Sequence, residues 1–286
     1  MSDYLKPLLI SLLLWTVLKA AAVAAPADAE RGRYLLQMGG CSSCHTRDGG
    51  EALAGGRSME TPFGTFITPN ITPHPETGIG EWSDKDFIRA MTEGRAPDGS
   101  HYYPAFPYVS YRAMSRQDLL DLKAYLDSVE PVDAPSTEHE LAFPFNIRAL
   151  LGPWKWLNLN PPPDLDVRTE KSEAWMRGRY IVRGPGHCGE CHTPRNLLGG
   201  LEQEAHLAGN PEGPEGESVP PITPEDPGFS RWSEADIVFA LQTGMKPDGD
   251  FLGGSMGHVI ENSTGKLTES DLKAIAAYLR DPEEPL

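Results

Sequence analysis

The cysteines of this chain fall into two short clusters that share one pattern. The sequence has 286 residues and four cysteines. Each cysteine pair has the spacing Cys-x-x-Cys and is followed directly by a histidine, as Cys41-Ser-Ser-Cys44-His45 and Cys188-Gly-Glu-Cys191-His192. A disulfide framework in an exported protein joins cysteines that are spread along the chain. Because these pairs are local, the pattern indicates that the cysteines serve a different chemistry.

An internal repeat places the two clusters at equivalent positions. Arg31-Gly-Arg-Tyr34 precedes the first cluster, and Arg177-Gly-Arg-Tyr180 precedes the second. Further pairs follow in the same order: Ile71-Thr-Pro73 with Ile222-Thr-Pro224, Trp82-Ser83 with Trp232-Ser233, Asp98-Gly99 with Asp248-Gly249, and Ala124-Tyr-Leu126 with Ala277-Tyr-Leu279. A repeat of this length is typical of a duplicated domain. It predicts one domain over residues 26–133 and a second over residues 174–286.

Each half carries the signals of amphipathic helices. Ser83 and Asp86 form a capping-box pair ahead of an apolar face, and Gly94 follows as a C-terminal glycine. The same signals recur at Ser233, Asp236 and Gly244, and a last helix is predicted after Ser115 and after Thr268. Period-two alternation is nearly absent, so the predicted fold class is all-α. Residues 134–173, which are rich in proline, form the predicted connector between two tandem helical domains with long loops.

The spacing of each cluster suits covalent attachment of haem. Two thiols three positions apart on a helical turn can add to the vinyl groups along one haem edge, and the adjacent histidine can reach the iron. A redox-active dithiol needs no such histidine, and a zinc site needs four protein ligands in close pairs. We therefore predict two covalently attached haem c groups, with thioether bonds to Cys41, Cys44, Cys188 and Cys191 and iron ligation by His45 and His192.

The second axial ligand of the second haem is predicted in the loop before the last helix. Met256 lies there in Gly253-Gly-Ser-Met256-Gly-His258. A methionine between glycines and a serine has no apolar helical face to join, which favours a ligand. Since methionine is a common axial ligand in cytochromes c, Met256 is favoured over His258.

The first half offers no equally clear ligand. Its corresponding loop has Phe106, which cannot bind iron. Met114 is the predicted ligand, although its position directly before Ser115 equally suits a hydrophobic contact at the start of a helix. His101 is the next candidate and would give a bis-histidine haem. A five-coordinate first haem is the remaining alternative, and it would permit small-ligand binding or catalysis.

Charge and the amino terminus point to an acidic, exported protein. The chain has 25 Lys and Arg against 41 Asp and Glu, a net charge of -16, and no basic run, which argues against nucleic-acid binding. Residues 8–18 are almost entirely apolar and lead into an alanine-rich run that ends at Ala25. This pattern predicts a signal peptide over residues 1–25 and a periplasmic location. The alternative is an uncleaved membrane anchor.

Several segments carry a family resemblance. They are Thr61-Pro-Phe-Gly-Thr65, Asn70-Ile-Thr-Pro73, Thr77-Gly-Ile-Gly-Glu-Trp-Ser83, Tyr103-Pro-Ala-Phe-Pro-Tyr108 and Gly186-His-Cys-Gly-Glu-Cys-His-Thr-Pro-Arg195. The chain resembles the cytochrome c subunits of bacterial membrane-associated alcohol and gluconate dehydrogenases. Those subunits generally carry three haem domains, whereas two are predicted here. Phe106 stands where the triheme relatives have their axial methionine.

The resemblance implies an electron-transfer role. The expected donor is a periplasmic dehydrogenase, and the expected acceptor is a downstream cytochrome or oxidase of the respiratory chain; peripheral membrane association is compatible with this role. The alternative is a diheme oxidoreductase, similar to a thiosulfate dehydrogenase or a peroxidase, that acts at the first haem. No acid–base pair or substrate cradle is evident, so the sequence favours an electron-transfer protein or subunit over a self-sufficient enzyme.

Overall fold

The computed structural model describes residues 25–159, 161, 165, 170–213, 216–225 and 230–282. The predicted signal peptide lies outside these residues except for Ala25. Helices before the connector are α1 (Ala29–Met38), α2 (Cys41–His45), α3 (Asp84–Glu93), α4 (Tyr108–Tyr111) and α5 (Arg116–Ser128). They are followed by α6 (Leu151–Asn158), α7 (Glu173–Arg183), α8 (Gly189–His192), α9 (Glu234–Thr243), α10 (Gly254–Asn262) and α11 (Glu269–Arg280). Within the described ranges no helix is both long and apolar enough to cross a membrane.

The predicted helix boundaries are confirmed where a capping signal was found. Ser83 accepts the backbone N–H of Asp86, the Asp86 side chain accepts that of Ser83, and α3 ends at Gly94 with φ 59. The same box begins α9, which ends at Gly244 with φ 79. Hydroxyl groups of Ser115 and Thr268 cap α5 and α11. Local side-chain chemistry therefore sets these boundaries.

Two long helix pairs form the scaffold. Helix α1 packs along α5, and α7 packs along α11 in the same way. Each pair meets at a glycine, because a Cβ at Gly32 would overlap the carbonyl group of Asp121 and a Cβ at Gly178 would overlap that of Ala274. The buried side chains of both pairs belong to one continuous core, which includes Leu35, Leu122, Ile181 and Leu272.

Two tyrosines make equivalent contacts between the two halves of the chain. The Tyr34 hydroxyl donates to Asp271 at 2.8 Å, and the Tyr180 hydroxyl donates to Asp118. Each hydroxyl also accepts the backbone N–H of the residue that caps the opposite last helix, at 3.0 and 3.1 Å. Equivalent residues of the repeat thus make equivalent contacts in the two halves. The division of the chain into two domains stays a prediction.

A small antiparallel sheet departs from the all-helical prediction. The strands are β1 (Ser58–Thr61), β2 (Gly64–Ile67) and β3 (Glu140–Leu141), in the order β1-β2-β3. Met59 pairs with Phe66, and Gly64 pairs with Leu141. These strands have four, four and two residues, which is too short for a recognisable alternation in the sequence. The fold is mostly helical with this added sheet.

The proline-rich connector contacts both halves of the chain. Lys155 in α6 donates to the carbonyl oxygens of Glu93 at 2.6 Å and Gly94 at 2.7 Å, at the C-terminal end of α3. Burial lowers the pKa of Lys155 to about 8. Trp154 donates through Nε1 to the carbonyl oxygen of Leu198 at 2.7 Å. Helix α6 thus ties the end of α3 to the loop that follows the second cluster.

Adding a methyl group where the long helices meet should destabilise the protein. We expect Gly32→Ala and Gly178→Ala each to lower the free energy of unfolding by about 1–3 kcal/mol, the usual cost of overpacking, measured by denaturant unfolding of the haem-loaded protein. Gly152→Ala is the control, because its Cβ would meet only His101 Nε2 at 3.7 Å. Equal midpoints for all three variants would contradict the close approach.

Candidate haem-binding site

A large cavity is shared by the two cysteine clusters. Its volume is ≈ 2420 Å³, and its walls include the cysteines and histidines of both clusters. Typical small-molecule sites have volumes of about 300–1,000 Å³. Much of the remaining wall is apolar and aromatic, with Phe66, Trp82, Phe106, Tyr111, Trp232 and Ile237 among the lining residues. The cavity therefore suits more than one large, flat, apolar group.

Both clusters lie on one-turn helices that face this cavity. Helix α2 holds the first cluster, and α8 holds most of the second. Residues three apart on a helix lie on the same side, so each turn presents two thiols together with the histidine that follows. The cysteines and the histidine of each cluster thus line the same cavity.

Burial raises the pKa of the cysteine thiols in both clusters. Burial, with a smaller contribution from the neighbouring cysteine, raises the pKa of Cys41 and of Cys188 to about 12. A reactive dithiol or a zinc site needs a thiolate, which proteins obtain by lowering the thiol pKa. Among the described residues, no group of three or more His, Cys, Asp or Glu side chains converges as a metal site would. The raised thiol pKa values differ from those of a reactive dithiol.

Each cluster histidine is held by a backbone carbonyl group. His45 Nδ1 lies 2.8 Å from the carbonyl oxygen of Pro69, and His192 Nδ1 lies 2.8 Å from that of Pro220. A carbonyl oxygen can only accept a hydrogen bond, so the proton is on Nδ1 and the Nε2 lone pair is free. Burial also lowers the pKa of both histidines, which favours the neutral form. This is the tautomer that an iron ligand requires.

The prolines that orient these histidines were not predicted from the sequence. Pro69 and Pro220 each lie two residues before the isoleucine of a matched Ile-Thr-Pro segment. The repeat therefore contained the signal, but a backbone carbonyl acceptor leaves no side-chain signature of its own. The two Ile-Thr-Pro segments therefore mark the loops whose proline carbonyl groups hold the cluster histidines.

The structure brings Met256 to the cavity, although not on a loop. Met256 lies in α10 and lines the cavity together with His258. The prediction of a loop was wrong, because α10 begins at Gly254, its N-cap residue Gly253 provides no side-chain cap, and the helix contains several small residues. Such a helix lacks the signals that identified α3 and α9. Met256 and His258 both stay candidates for the second axial position.

The structure does not bring Met114 to the cavity. Met114 is 7% exposed and belongs to the core cluster, with its Cγ atom near Gly184. It fills the place at the start of α5 that the sequence allowed as its alternative role. His101 also lies outside the cavity-lining residues of the described chain, whereas Phe106 is one of them.

Glu190 is a site residue that the sequence did not single out. It lies inside the second cluster, is 8% exposed, and accepts hydrogen bonds from Ser110 Oγ and from Arg195 Nη2, both at 2.8 Å. Burial raises the pKa of Cys191 to about 11, and the charges of Glu190 and Cys44 contribute to this rise. His187 Nε2, directly before Cys188, lies 3.1 Å from the carbonyl oxygen of Gly39, two residues before Cys41. The two clusters therefore lie near each other, with a carboxylate beside the second one.

Comparison with known proteins gives consistent matches. The family model described as cytochrome c matches residues 29–130. A diheme cytochrome c-type protein of Cereibacter sphaeroides is 47% identical over 259 residues, which cover 88% of this chain and 85% of that protein. The fructose dehydrogenase cytochrome subunit of Gluconobacter japonicus is 41% identical, with coverage of 87% and 51%. The gluconate 2-dehydrogenase cytochrome c subunit of Pantoea cypripedii is 35% identical, with coverage of 95% and 64%. The chain thus spans less than two thirds of these dehydrogenase subunits.

Neutralising Glu190 should change the reduction potential at the second cluster. A buried negative charge stabilises the more positive, oxidised iron, so we expect Glu190→Gln to raise the midpoint potential of the second haem by tens of millivolts, on the order of 1 kcal/mol. The measurement is a spectroelectrochemical titration. Glu204→Gln, which removes one charge from an exposed position of the same half, should leave the potential nearly unchanged. Equal shifts in both variants would contradict a local effect.

Proposed function

The chain belongs to the cytochrome c family, and from this premise we propose that it is an exported diheme cytochrome that transfers electrons from a periplasmic dehydrogenase to a downstream cytochrome or oxidase. The observation that carries the proposal is the equivalent arrangement of the two clusters. In both, a one-turn helix presents two thiols to one cavity, and a proline carbonyl holds the adjacent histidine with Nε2 free. Haem c supplies a one-electron redox change at its iron.

The residues of each cluster would hold one haem. Thioether bonds to Cys41 and Cys44 would fix the first porphyrin, and Cys188 and Cys191 would fix the second. His45 and His192 would supply the proximal ligands, and the apolar and aromatic side chains of the cavity wall would pack against the porphyrins. A low-polarity surrounding and the axial ligand are the means by which a protein sets a haem potential.

Met256 is our proposed second ligand of the second iron. Its thioether would fill the sixth position, raise the potential and leave the iron with little rearrangement on electron transfer. The position of Met256 in the cavity wall supports this role. Loss of the thioether-to-iron absorption band in Met256→Leu would support it. An unchanged band would assign the thioether to another methionine, and a wild-type protein without this band would favour His258.

The contacts between the halves support electron exchange inside the protein. Tyr34 and Tyr180 tie each half to the last helix of the other, and Ser110 donates across the same boundary to Glu190. The contact of His187 Nε2 with the carbonyl oxygen of Gly39, at 3.1 Å, joins residues beside the two clusters and supports a close approach of the two porphyrins. Electrons could then pass between the haems without a domain movement.

Haem attachment and export can be tested by one mass measurement. The mature protein is expected to start at Pro26 and to carry two haems, while Cys41→Ala/Cys44→Ala and Cys188→Ala/Cys191→Ala should each retain one, because each cluster binds its haem independently. Intact mass and a haem assay on periplasmic extracts check both points. A wild-type mass equal to that of bare protein overturns the proposal, and recovery of the intact chain from Met1 in membranes supports an uncleaved anchor.

The acidic charge predicts how the donor is recognised. With a net charge of -16 before the haem propionates are counted, association with a basic patch on a dehydrogenase should be electrostatically steered. We therefore expect the second-order reduction rate to fall as ionic strength rises, measured by stopped-flow spectroscopy. Reduction by an uncharged hydroquinone is the control and should be insensitive to salt. A salt-independent rate with the dehydrogenase would contradict steering.

The donor itself can be found with the same protein. Purified cytochrome is added to a periplasmic extract, and candidate substrates are tested for their ability to reduce it. Alcohols and gluconate are among the substrates to test, because similar proteins are cytochrome c subunits of alcohol and gluconate dehydrogenases. Reduction that depends on one substrate class would identify the dehydrogenase. Failure of every substrate to reduce a haem-loaded protein would count against a dehydrogenase as donor.

A further inference from the structure

We propose that the sixth position of the first haem is open and binds a small neutral diatomic ligand in a pocket formed by aromatic side chains. Carbon monoxide and nitric oxide are ligands of this class. The proposal rests on the proposed function, since it requires a haem at Cys41 and Cys44. It goes beyond electron transfer because it assigns this haem a ligand from outside the chain.

The backbone shows that Phe106 is the counterpart of Met256. Before Phe106, the Tyr102 N–H donates to the carbonyl oxygen of Gly94 at 2.7 Å. The matching bond in the second half joins Leu252 and Gly244, also at 2.7 Å. The two residues of the second bond are each 150 positions after their counterparts in the first bond. Phe106 lies four residues after Tyr102, and Met256 lies four residues after Leu252, so these two residues are also 150 positions apart.

Phe106 and Met256 also face the same space, because both line the cavity. A phenyl ring has no lone pair with which to bind iron, whereas the thioether of methionine does. At this position the second half therefore has a side chain that can bind iron, and the first half has one that cannot. This difference is the observation on which the proposal depends.

The ring of Phe106 is fixed beside the first cluster. Its centroid lies 5.7 Å from that of Tyr102 and 5.8 Å from that of Tyr111, in edge-on contacts. Tyr111 is buried, and its ring centroid also lies 5.5 Å from that of His187. Tyr102, Phe106 and Tyr111 line the same cavity as Cys41 and Cys44, the cysteines that would hold the first haem.

Other histidine and methionine side chains that line the cavity make contacts of their own, and His187 Nε2 lies 3.1 Å from the carbonyl oxygen of Gly39. His139 Nδ1 accepts the backbone N–H of Ile67 at 3.2 Å, so the proton of the neutral ring is on Nε2 and that nitrogen has no free lone pair. Met38 and Met91 are packed into the main core. Met59 packs against a second cluster formed by Phe66, Tyr103 and Leu151.

The low polarity of the aromatic wall favours a neutral ligand over an anion. An aromatic wall offers little compensation to an anion, because burial of a charge without a partner is costly. Distal polarity and access determine what a haem binds. A neutral diatomic molecule should therefore bind more readily than azide or another small anion.

The experiment compares carbon monoxide binding in a matched set of variants. Haem content is first established by intact mass. The reduced wild-type protein is then expected to take up carbon monoxide at half of its haem. Phe106→Met should lose this uptake and gain a second thioether-to-iron band, while Met256→Phe should double the uptake. Phe106→Leu, which removes the ring without adding a donor, should keep the wild-type stoichiometry.

The outcomes separate this inference from the proposed function. If mass shows no haem at the first cluster, the proposed function fails. If both haems are present and the reduced protein takes up carbon monoxide at neither, the open first site is overturned. Uptake at both instead contradicts Met256 as the ligand that closes the second haem. Uptake that persists in a folded Phe106→Met protein overturns the open first site as well. Should that variant fail to fold, the wild-type stoichiometry and the Met256→Phe result decide the question.

Discussion

The hydrogen bond between a cluster histidine and a proline carbonyl is the interaction on which the site depends. It joins a one-turn helix to a loop that is 24 residues away in the first half and 28 residues away in the second. The bond fixes the tautomer of His45 and of His192 and turns Nε2 towards the cavity. Without it, two thiols could still bind a haem edge, but the iron ligand would have no fixed direction. The long loops of the chain are thus required to return a carbonyl group to the cluster.

The helical scaffold provides a rigid frame for that geometry. Gly32 and Gly178 let α1 approach α5 and α7 approach α11 closely, so the short cluster helices follow directly from packed elements. The tyrosine contacts and the hydrogen bond from Ser110 to Glu190 then hold the two halves together around one cavity. A rigid frame suits electron transfer, because the distance between the redox groups stays constant while their charge changes.

Local signals were readable from the sequence, and tertiary ones were not. Ser83, Asp86 and Gly94 identify α3 because capping uses side chains within one turn. By contrast, α10 has no side-chain cap, so the helix around Met256 was missed. Met114 could not be assigned from its neighbours, since a buried methionine and an iron ligand have the same local sequence. Backbone acceptors such as the Pro69 carbonyl oxygen are positioned by the path of the loop, so residue types alone do not reveal them.

The duplicated halves differ at the positions that control iron chemistry. The second cluster has Glu190 where the first has Ser43, and the second half has Met256 where the first has Phe106. A closed second iron and an open first iron would couple electron transfer to ligand binding. A ligand that prefers reduced iron raises the potential of the haem it binds, and by linkage reduction increases its affinity by the same factor. Because the halves are held together, such a ligand would draw electrons from the second haem towards the first.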